Sequence, residues 1–182
     1  MQPVDVNATR YDTRTMLFHW LTAALVVLQW IGAKTIDWFP RGTLRVDARS
    51  VHITVGVLLA LVLVARIVWR ATGGRRLPLA DRGALNIVAK GTHWVLYLLL
   101  IAMVSVGIAL AWVRGDSLFN LVSIPSFAPG NKALASQIFE IHDTIAWVIL
   151  GLAGVHAGAA LVHRYVWRDG VLARMLPGAR VG

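Results

Sequence analysis

The segment His142–Arg164, HDTIAWVILGLAGVHAGAALVHR, is apolar enough to cross a membrane but contains three histidines. At about 1.5 Å per residue, a helix of this length crosses the ~30 Å hydrocarbon core of a bilayer. Polar side chains inside a bilayer are costly and are usually retained for a function. The segment therefore predicts a transmembrane helix whose histidines take part in chemistry.

Three other apolar runs have the length of a membrane span, and together the four are Thr15–Ile36, Val51–Trp69, Ile87–Val113 and Ile138–Tyr165. The chain of 182 residues is 57% hydrophobic, whereas soluble domains are about 45–50% apolar. No alternation of polar and apolar residues favours strands, and the first run is too long for a signal peptide. We therefore predict an all-α fold, an integral membrane four-helix bundle that forms one domain over residues 1–182.

Charge and cysteine content narrow the class of protein. The net charge is +9, but the cations cluster between the apolar runs. This arrangement indicates a role in membrane topology and argues against nucleic-acid binding. The chain has no cysteine, which excludes disulfides, iron–sulfur clusters, thiolate-bound haem and haem attached through Cys-x-x-Cys-His.

The distribution of positive charge predicts the orientation of the helices. Twelve of the 18 Lys and Arg residues lie near the chain termini or around the connection between the second and third runs. Because loops rich in Lys and Arg stay in the cytoplasm, both termini are expected there. The connection between the third and fourth helices ends in SIPSFAPGNK, Ser123–Lys132, and is expected outside as an irregular or short-helical cap.

The spacing of the histidines predicts two layers. His142 and His156 are 14 residues apart, which places them on nearly the same helix face and about 21 Å apart in depth. Since successive helices run in opposite directions, His52 lies at the depth of His142, and His19 lies at the depth of His156. Zinc sites more often use histidines three or four residues apart, and this chain has no such pair.

Two imidazoles that face each other in a helical bundle suit the axial positions of a haem iron. The pattern therefore predicts two non-covalent haem b groups. His19 and His156 would be the axial ligands of one iron, and His52 and His142 those of the other. No catalytic side chain is expected beyond the haems, because the cofactors would carry the chemistry.

Two arginines are candidate partners of haem propionates, because a guanidinium binds a carboxylate through paired hydrogen bonds. Arg66 follows His52 by 14 residues and could equally extend to lipid headgroups. Arg49 precedes His52, together with Arg41 and Arg45. These three cations could also attract a small anion to the outer face, or belong to a merely solvated loop.

Two further groups of residues near the histidines, one of glycines and one of ionisable residues, each allow a functional and a purely structural interpretation. Four glycines could give clearance for a flat macrocycle or make ordinary contacts between membrane helices; they are Gly56, Gly151, Gly154 and Gly158. Three ionisable residues near the depth of His156 are candidates for a quinone site, and they are Lys90, His93 and His163. Both of these histidines are also consistent with an ordinary interfacial position.

Four motifs resemble a known family. DTRTMLFHWL (12–21), VHITVG (51–56), IHDT (141–144) and HRYVWRDGVLARMLP (163–177) are similar to sequences of the bacterial di-haem cytochrome b561 family, and the last looks like its small stand-alone members. The resemblance implies a superoxide oxidase coupled to ubiquinone, with the same four histidines as haem ligands. The stand-alone members have paired histidines where this chain has His163 and Arg164, which affects the expected quinone pocket.

The resulting hypothesis is a multi-pass cytochrome of the bacterial inner membrane that oxidises superoxide outside and reduces ubiquinone through two haems. Its expected partners are superoxide, ubiquinone and membrane lipid, with a redox protein as a further candidate and no nucleic acid. A first alternative is an electron-transfer cytochrome b subunit that serves a partner dehydrogenase or hydrogenase. A second is a haem-free transporter that uses histidines to move protons or metal ions.

Overall fold

The computed structural model describes residues 10–78 and 83–178. Arg82 and Arg180, which contribute to the predicted orientation, lie outside this range. The four long helices are α1 (Thr13–Thr35), α2 (Thr43–Thr72), α3 (Ala84–Arg114) and α4 (Lys132–Val162). Each is long and apolar enough to cross a membrane. The predicted all-α membrane fold is therefore confirmed.

Two helices begin earlier than predicted. Helix α2 begins at Thr43 instead of Val51, directly after Gly42, whose φ of +116° few other residues adopt. Helix α4 begins at Lys132 instead of Ile138, because the Asn131 side chain caps it by accepting a hydrogen bond from Leu134 N–H at 3.0 Å. Hydropathy detects only the apolar part of a helix, so it did not predict the polar first turns of α2 and α4.

The bundle consists of two helix pairs. Helix α1 packs mainly on α2, and α3 packs mainly on α4. One buried cluster joins Leu25 to Leu59 and Val62, and a second joins Leu63, Leu100 and Ile149. The other faces of the helices carry exposed apolar side chains, as lipid-facing helices do. The space between the two pairs is the place where a group could lie between helices.

The two ends of the bundle differ in structure. One end, called here the termini side, contains the first residue of α1 and the last residue of α4. A π-helical turn, His163–Trp167, and a 3₁₀ turn, Leu172–Met175, follow α4 there. The opposite end, the hairpin side, contains a 3₁₀ turn, Ile36–Trp38, and two short strands, β1 (Ser117–Leu118) and β2 (Val122–Ser123).

The irregular or short-helical cap predicted between α3 and α4 is wrong in part, because this connection contains an antiparallel β-hairpin. Phe119 and Asn120 form its turn with φ values of 51° and 56°, the conformation of a type I′ turn. Ser50 is fully buried and holds the hairpin on α2, since its hydroxyl accepts from Phe119 N–H at 2.8 Å and lies 3.1 Å from Ser117 O. The usual Asn-Gly signal is missing from this turn, so the sequence carries only a weak signal for it.

On the termini side, Asp12 connects α1 to the end of α2. Its carboxylate accepts hydrogen bonds from Thr15 N–H, from the Trp69 indole and from Arg75 N–H, all at 2.9 Å. Partial burial alone would raise the pKa of Asp12, but these hydrogen bonds outweigh it and hold the pKa well below its usual value. The charged carboxylate therefore stabilises this end of the bundle.

We expect Asp12→Ala to lower the free energy of unfolding by about 1–2 kcal/mol, the usual cost of losing a helix N-cap. A carboxyl whose pKa is lower in the folded state stabilises above its unfolded value of about 3.9, and this contribution is lost as the pH falls below that. Thermal unfolding in detergent should therefore separate variant from wild type at pH 7, and the difference should shrink progressively only as the pH falls below about 4. Asp47→Ala is the matched control; an unchanged difference at low pH would contradict the assignment.

Candidate functional site

The structure brings the predicted histidines together in two pairs. The rings of His19 on α1 and His156 on α4 have centroids 6.3 Å apart. The rings of His52 on α2 and His142 on α4 are also 6.3 Å apart. Both pairs face each other across the space between α1–α2 and α3–α4. The pairs lie four helical turns apart on α4, so their depths differ by about 21 Å.

The spacing within each pair fits one metal ion between two imidazoles. A metal–imidazole bond is about 2 Å and the nitrogen lies about 1 Å from the ring centre, so the centroids of two opposed ligands are roughly 6 Å apart. Among the described residues no group of three or more His, Cys, Asp or Glu side chains could hold a metal ion. The remaining ligands would have to come from a macrocycle such as haem, which supplies them itself.

The pair formed by His52 and His142 has a second feature of a ligand site. The Nδ1 atoms of both rings are buried and have no hydrogen-bond partner within the part of the chain that the structure describes. Unpaired buried polar atoms are expensive, and more so inside a bilayer. The described protein atoms therefore leave these two rings without a partner, as expected for histidines whose site is completed by a bound group.

The layer around this pair, called here the His52 layer, consists of His52, Gly107 and His142. A methyl group on Gly107 of α3 would lie 3.2 Å from Cε1 of His142, so the ring lies directly against the α3 backbone. On the other side Gln29 of α1 donates its amide N–H to the His52 carbonyl at 3.0 Å. Sequence reasoning missed both Gly107 and Gln29.

The second layer, called here the His19 layer, consists of His19, Arg66, His93 and His156. Arg66 Nη2 lies 3.2 Å from His19 Nδ1, and its guanidinium lies over the Tyr97 ring at 5.1 Å. The ring of His93 is 5.1 Å from that of His156, and His93 Nδ1–H donates to Ala89 O at 2.7 Å. This layer is therefore more polar than the His52 layer.

The four glycines considered from the sequence divide into two groups. A methyl group on Gly151, Gly154 or Gly158 would meet no atom within 4 Å among the described residues, so nothing in the protein itself requires glycine there. A methyl group on Gly56 would meet the Gln29 amide at 3.0 Å. Gly56 thus leaves room for the side chain that binds the His52 carbonyl.

A cavity of about 500 Å³ opens on the hairpin side, one helical turn from His142. Arg49, Arg114 and Lys132 contribute cations to its wall, while Asp116 contributes a carboxylate. Arg49 Nη1 is 3.0 Å from Asp116 Oδ1, so two cations remain in excess. In the sequence Arg114 and Lys132 are charges on either side of a long connection, and only the path of that connection brings them together.

Arg45, one of the cations considered as an anion attractor, has a structural role instead. It donates to the Phe39 carbonyl at 3.0 Å and forms an ion pair with Asp37 at 3.2 Å. These contacts fix the 3₁₀ turn between α1 and α2. Arg41 is exposed near the end of this loop.

The candidate quinone residues are distributed over the termini side. Lys90 and His93 lie one turn apart and exposed near the start of α3. His163 is buried, and its Nδ1 is 2.5 Å from Asp169 Oδ2. Partial burial opposes ionisation of Asp169, but the hydrogen bonds from His163 and Val171 N–H lower its pKa. The structure therefore places His93, and not His163, against His156.

A family model described as prokaryotic cytochrome b561 matches residues 10–178. The chain belongs to this family. This cytochrome b561 is 31% identical to the probable superoxide oxidase CybB of Yersinia pestis, over 94% of this chain and 98% of the relative. It is 28% identical to cytochrome b561 homolog 1 of Escherichia coli K12, over 92% and 97%. It is also 28% identical to cytochrome b562 of Cereibacter sphaeroides, over 91% and 94%.

Membership assigns the general chemistry. Cytochromes b561 are multi-pass membrane proteins that bind haem b and transfer electrons. This explains why an apolar bundle would keep paired histidines, and it argues against a haem-free transporter. The family membership and the metal-sized gaps between the histidines lead to the same type of cofactor by independent routes.

Proposed function

We propose that this cytochrome b561 takes electrons from superoxide on the hairpin side and delivers them to ubiquinone on the termini side. The observation that carries the proposal is the pair of equally spaced histidine couples, each with a 6.3 Å gap, four helical turns apart. His19 and His156 would hold one haem b, and His52 and His142 the other. When bound, the two haems supply one-electron transfer across the bilayer.

The overall reaction balances in electrons and protons. Two superoxide ions give up one electron each and become dioxygen, while ubiquinone takes up two electrons and two protons and becomes ubiquinol. The positive charge around the termini side favours a cytoplasmic location for that end. The protein would then lie in the bacterial inner membrane, with the hairpin side facing the periplasm.

The cavity on the hairpin side supports superoxide as the electron donor. Its excess positive charge comes from Arg114 and Lys132, since Arg49 is paired with Asp116. A cavity lined by one sign of charge raises the local concentration of an oppositely charged substrate. The protein's contribution here is to attract the anion to the His52 layer, and Arg49 remains a candidate for a propionate.

On the termini side, Lys90 and His93 are the residues best placed to bind the quinone headgroup. His93 lies against His156, and the Lys90 ammonium offers hydrogen-bond donors one turn closer to the aqueous phase. His163 is held by Asp169 and by the Trp167 ring, whose centroid is 4.5 Å away. Its contribution would be to shape the base of this region.

The direct test is reduction of a ubiquinone analogue by purified, haem-loaded protein supplied with superoxide. The expected result is quinol formation at two superoxide ions per quinone, with about two extractable b haems per chain. Protein that holds two haems but does not oxidise superoxide would instead support the electron-transfer subunit of a dehydrogenase or hydrogenase. That alternative is consistent with relatives named only as cytochromes.

Lys132→Gln tests the electrostatic role of the cavity. We expect a fall of about two- to tenfold in the rate constant for superoxide at low ionic strength, because one of the unpaired cations is lost. The difference should shrink at high salt, where exposed charges are screened. Arg76→Gln, an exposed cation on the termini side, is the control. Equal rates for both variants at low salt would reject steering by this cavity.

A further inference from the structure

Three helices contribute one residue to each layer, and the spacing is the same in all three. The residues are His52 and Arg66 on α2, His93 and Gly107 on α3, and His142 and His156 on α4. Contacts within each layer confirm the register: Arg66 meets His19, His93 meets His156, and Gly107 meets His142. On each of these three helices, the His52 layer and the His19 layer therefore occupy matching positions 14 residues apart. The two layers differ in the side chains at those positions.

The layers differ in uncompensated charge. The guanidinium of Arg66 carries a positive charge and, among the described residues, forms no ion pair with a carboxylate. Near the His52 layer, Arg49 pairs with Asp116 at 3.0 Å and Lys34 pairs with Asp143 at 2.8 Å. The unpaired cations on this side, Arg114 and Lys132, line the open cavity. Arg114 is seven residues beyond Gly107, which is about 10 Å along α3.

A positive charge near an iron favours its reduced state, because reduction lowers the positive charge at the metal by one. This effect is stronger in a medium of low dielectric constant than in water. Arg66 lies six residues before the end of α2, partly buried between α1 and α3. Its charge thus acts on the His19 layer much more than on the His52 layer about 21 Å away.

We propose that Arg66 makes the haem held by His19 and His156 the better electron acceptor of the two, and so directs electron transfer from the His52 layer to the His19 layer. This inference rests on the two haems of the proposed function. One electron passes between the irons, so one is oxidised and the other reduced, without a proton or a bond change. A propionate bound to Arg66 would not change the sign, because removing the arginine would then leave an unpaired anion.

The test is a spectroelectrochemical titration of purified, haem-loaded protein. In wild-type protein the haems should be reduced in two steps at different potentials. His52→Ala protein, which keeps only the haem of the His19 layer, should show the upper step alone. Arg66→Gln should lower the upper step alone, reducing the equilibrium constant for electron transfer between the haems at least about tenfold, or ~59 mV. Arg66→Lys, which keeps the charge but changes the geometry, should retain most of the wild-type potential.

Controls make the outcome decisive. Arg70→Gln removes a cation one turn closer to the aqueous phase and should move the upper step less than Arg66→Gln does. Unchanged steps in Arg66→Gln protein with full haem content would overturn the proposal. An equal fall in Arg66→Lys protein would also overturn it, since geometry and not charge would then be responsible. The titration uses no superoxide, so a protein inactive with superoxide but shifted by Arg66→Gln would refute the proposed donor alone.

Discussion

Replacing His52 by alanine is expected to leave one haem per chain instead of two and to abolish reduction of ubiquinone by superoxide. His52 faces His142 across a 6.3 Å gap, and no other described histidine ring contacts this pair. Loss of a residue that only supports a metal ligand typically costs 10–100-fold. Loss of the ligand itself should therefore lower the superoxide-driven rate by at least about 100-fold.

The remaining haem gives the experiment its internal reference. The His19 layer lies about 21 Å away, so its absorption bands and its reduction by dithionite should persist in His52→Ala protein. Val51→Ala changes the neighbouring, half-exposed residue of the same helix and should keep both haems. Two haems in His52→Ala protein would show that His52 is not a ligand. A full superoxide-driven rate with one haem would remove the His52 layer from the route.

Hydropathy and histidine depth predict the part of this fold that the bilayer dictates. A helix must be about 20 residues long to span the hydrocarbon core and must satisfy its own backbone, so the four spans can be read from composition alone. The helix starts at Thr43 and Lys132 depend on the local conformation of Gly42 and Asn131, which hydropathy does not report. The hairpin depends on Phe119 and Asn120 adopting positive φ, for which the sequence carries a weak signal.

In the candidate site, the features set by helix direction and spacing could be predicted from the sequence, and those set by loop paths could not. The facing of His19 with His156, and of His52 with His142, follows from alternating helix direction and a 14-residue spacing. The cavity charges, Arg114 and Lys132, and the contact of His163 with Asp169 depend on how loops return to the bundle. Gly107 could have been found, because it follows His93 by the same 14 residues that separate His142 from His156.

Gly107→Ala is expected to release the haem of the His52 layer about 10–100-fold faster than wild type, as loss of ligand orientation typically does. The added methyl group would lie 3.2 Å from Cε1 and 3.6 Å from Nδ1 of His142, so the ring must shift by a few tenths of an ångström from its position against α3. Alanine is the better helix former by up to about 1 kcal/mol, so weakening of α3 itself cannot produce this loss. Transfer of haem to apomyoglobin measures the release rate.

Gly91→Ala separates displacement of the ring from any general effect of glycine replacement. Gly91 lies in the same helix, and a methyl group there meets no described atom within 4 Å, so its haem release should match wild type. The low-spin ferric EPR signal, which reports the relative orientation of the two axial imidazoles, should change in Gly107→Ala protein for one haem only. If the release rate and the EPR signal both match wild type, His142 is not oriented by α3, and its position must be fixed from within α4.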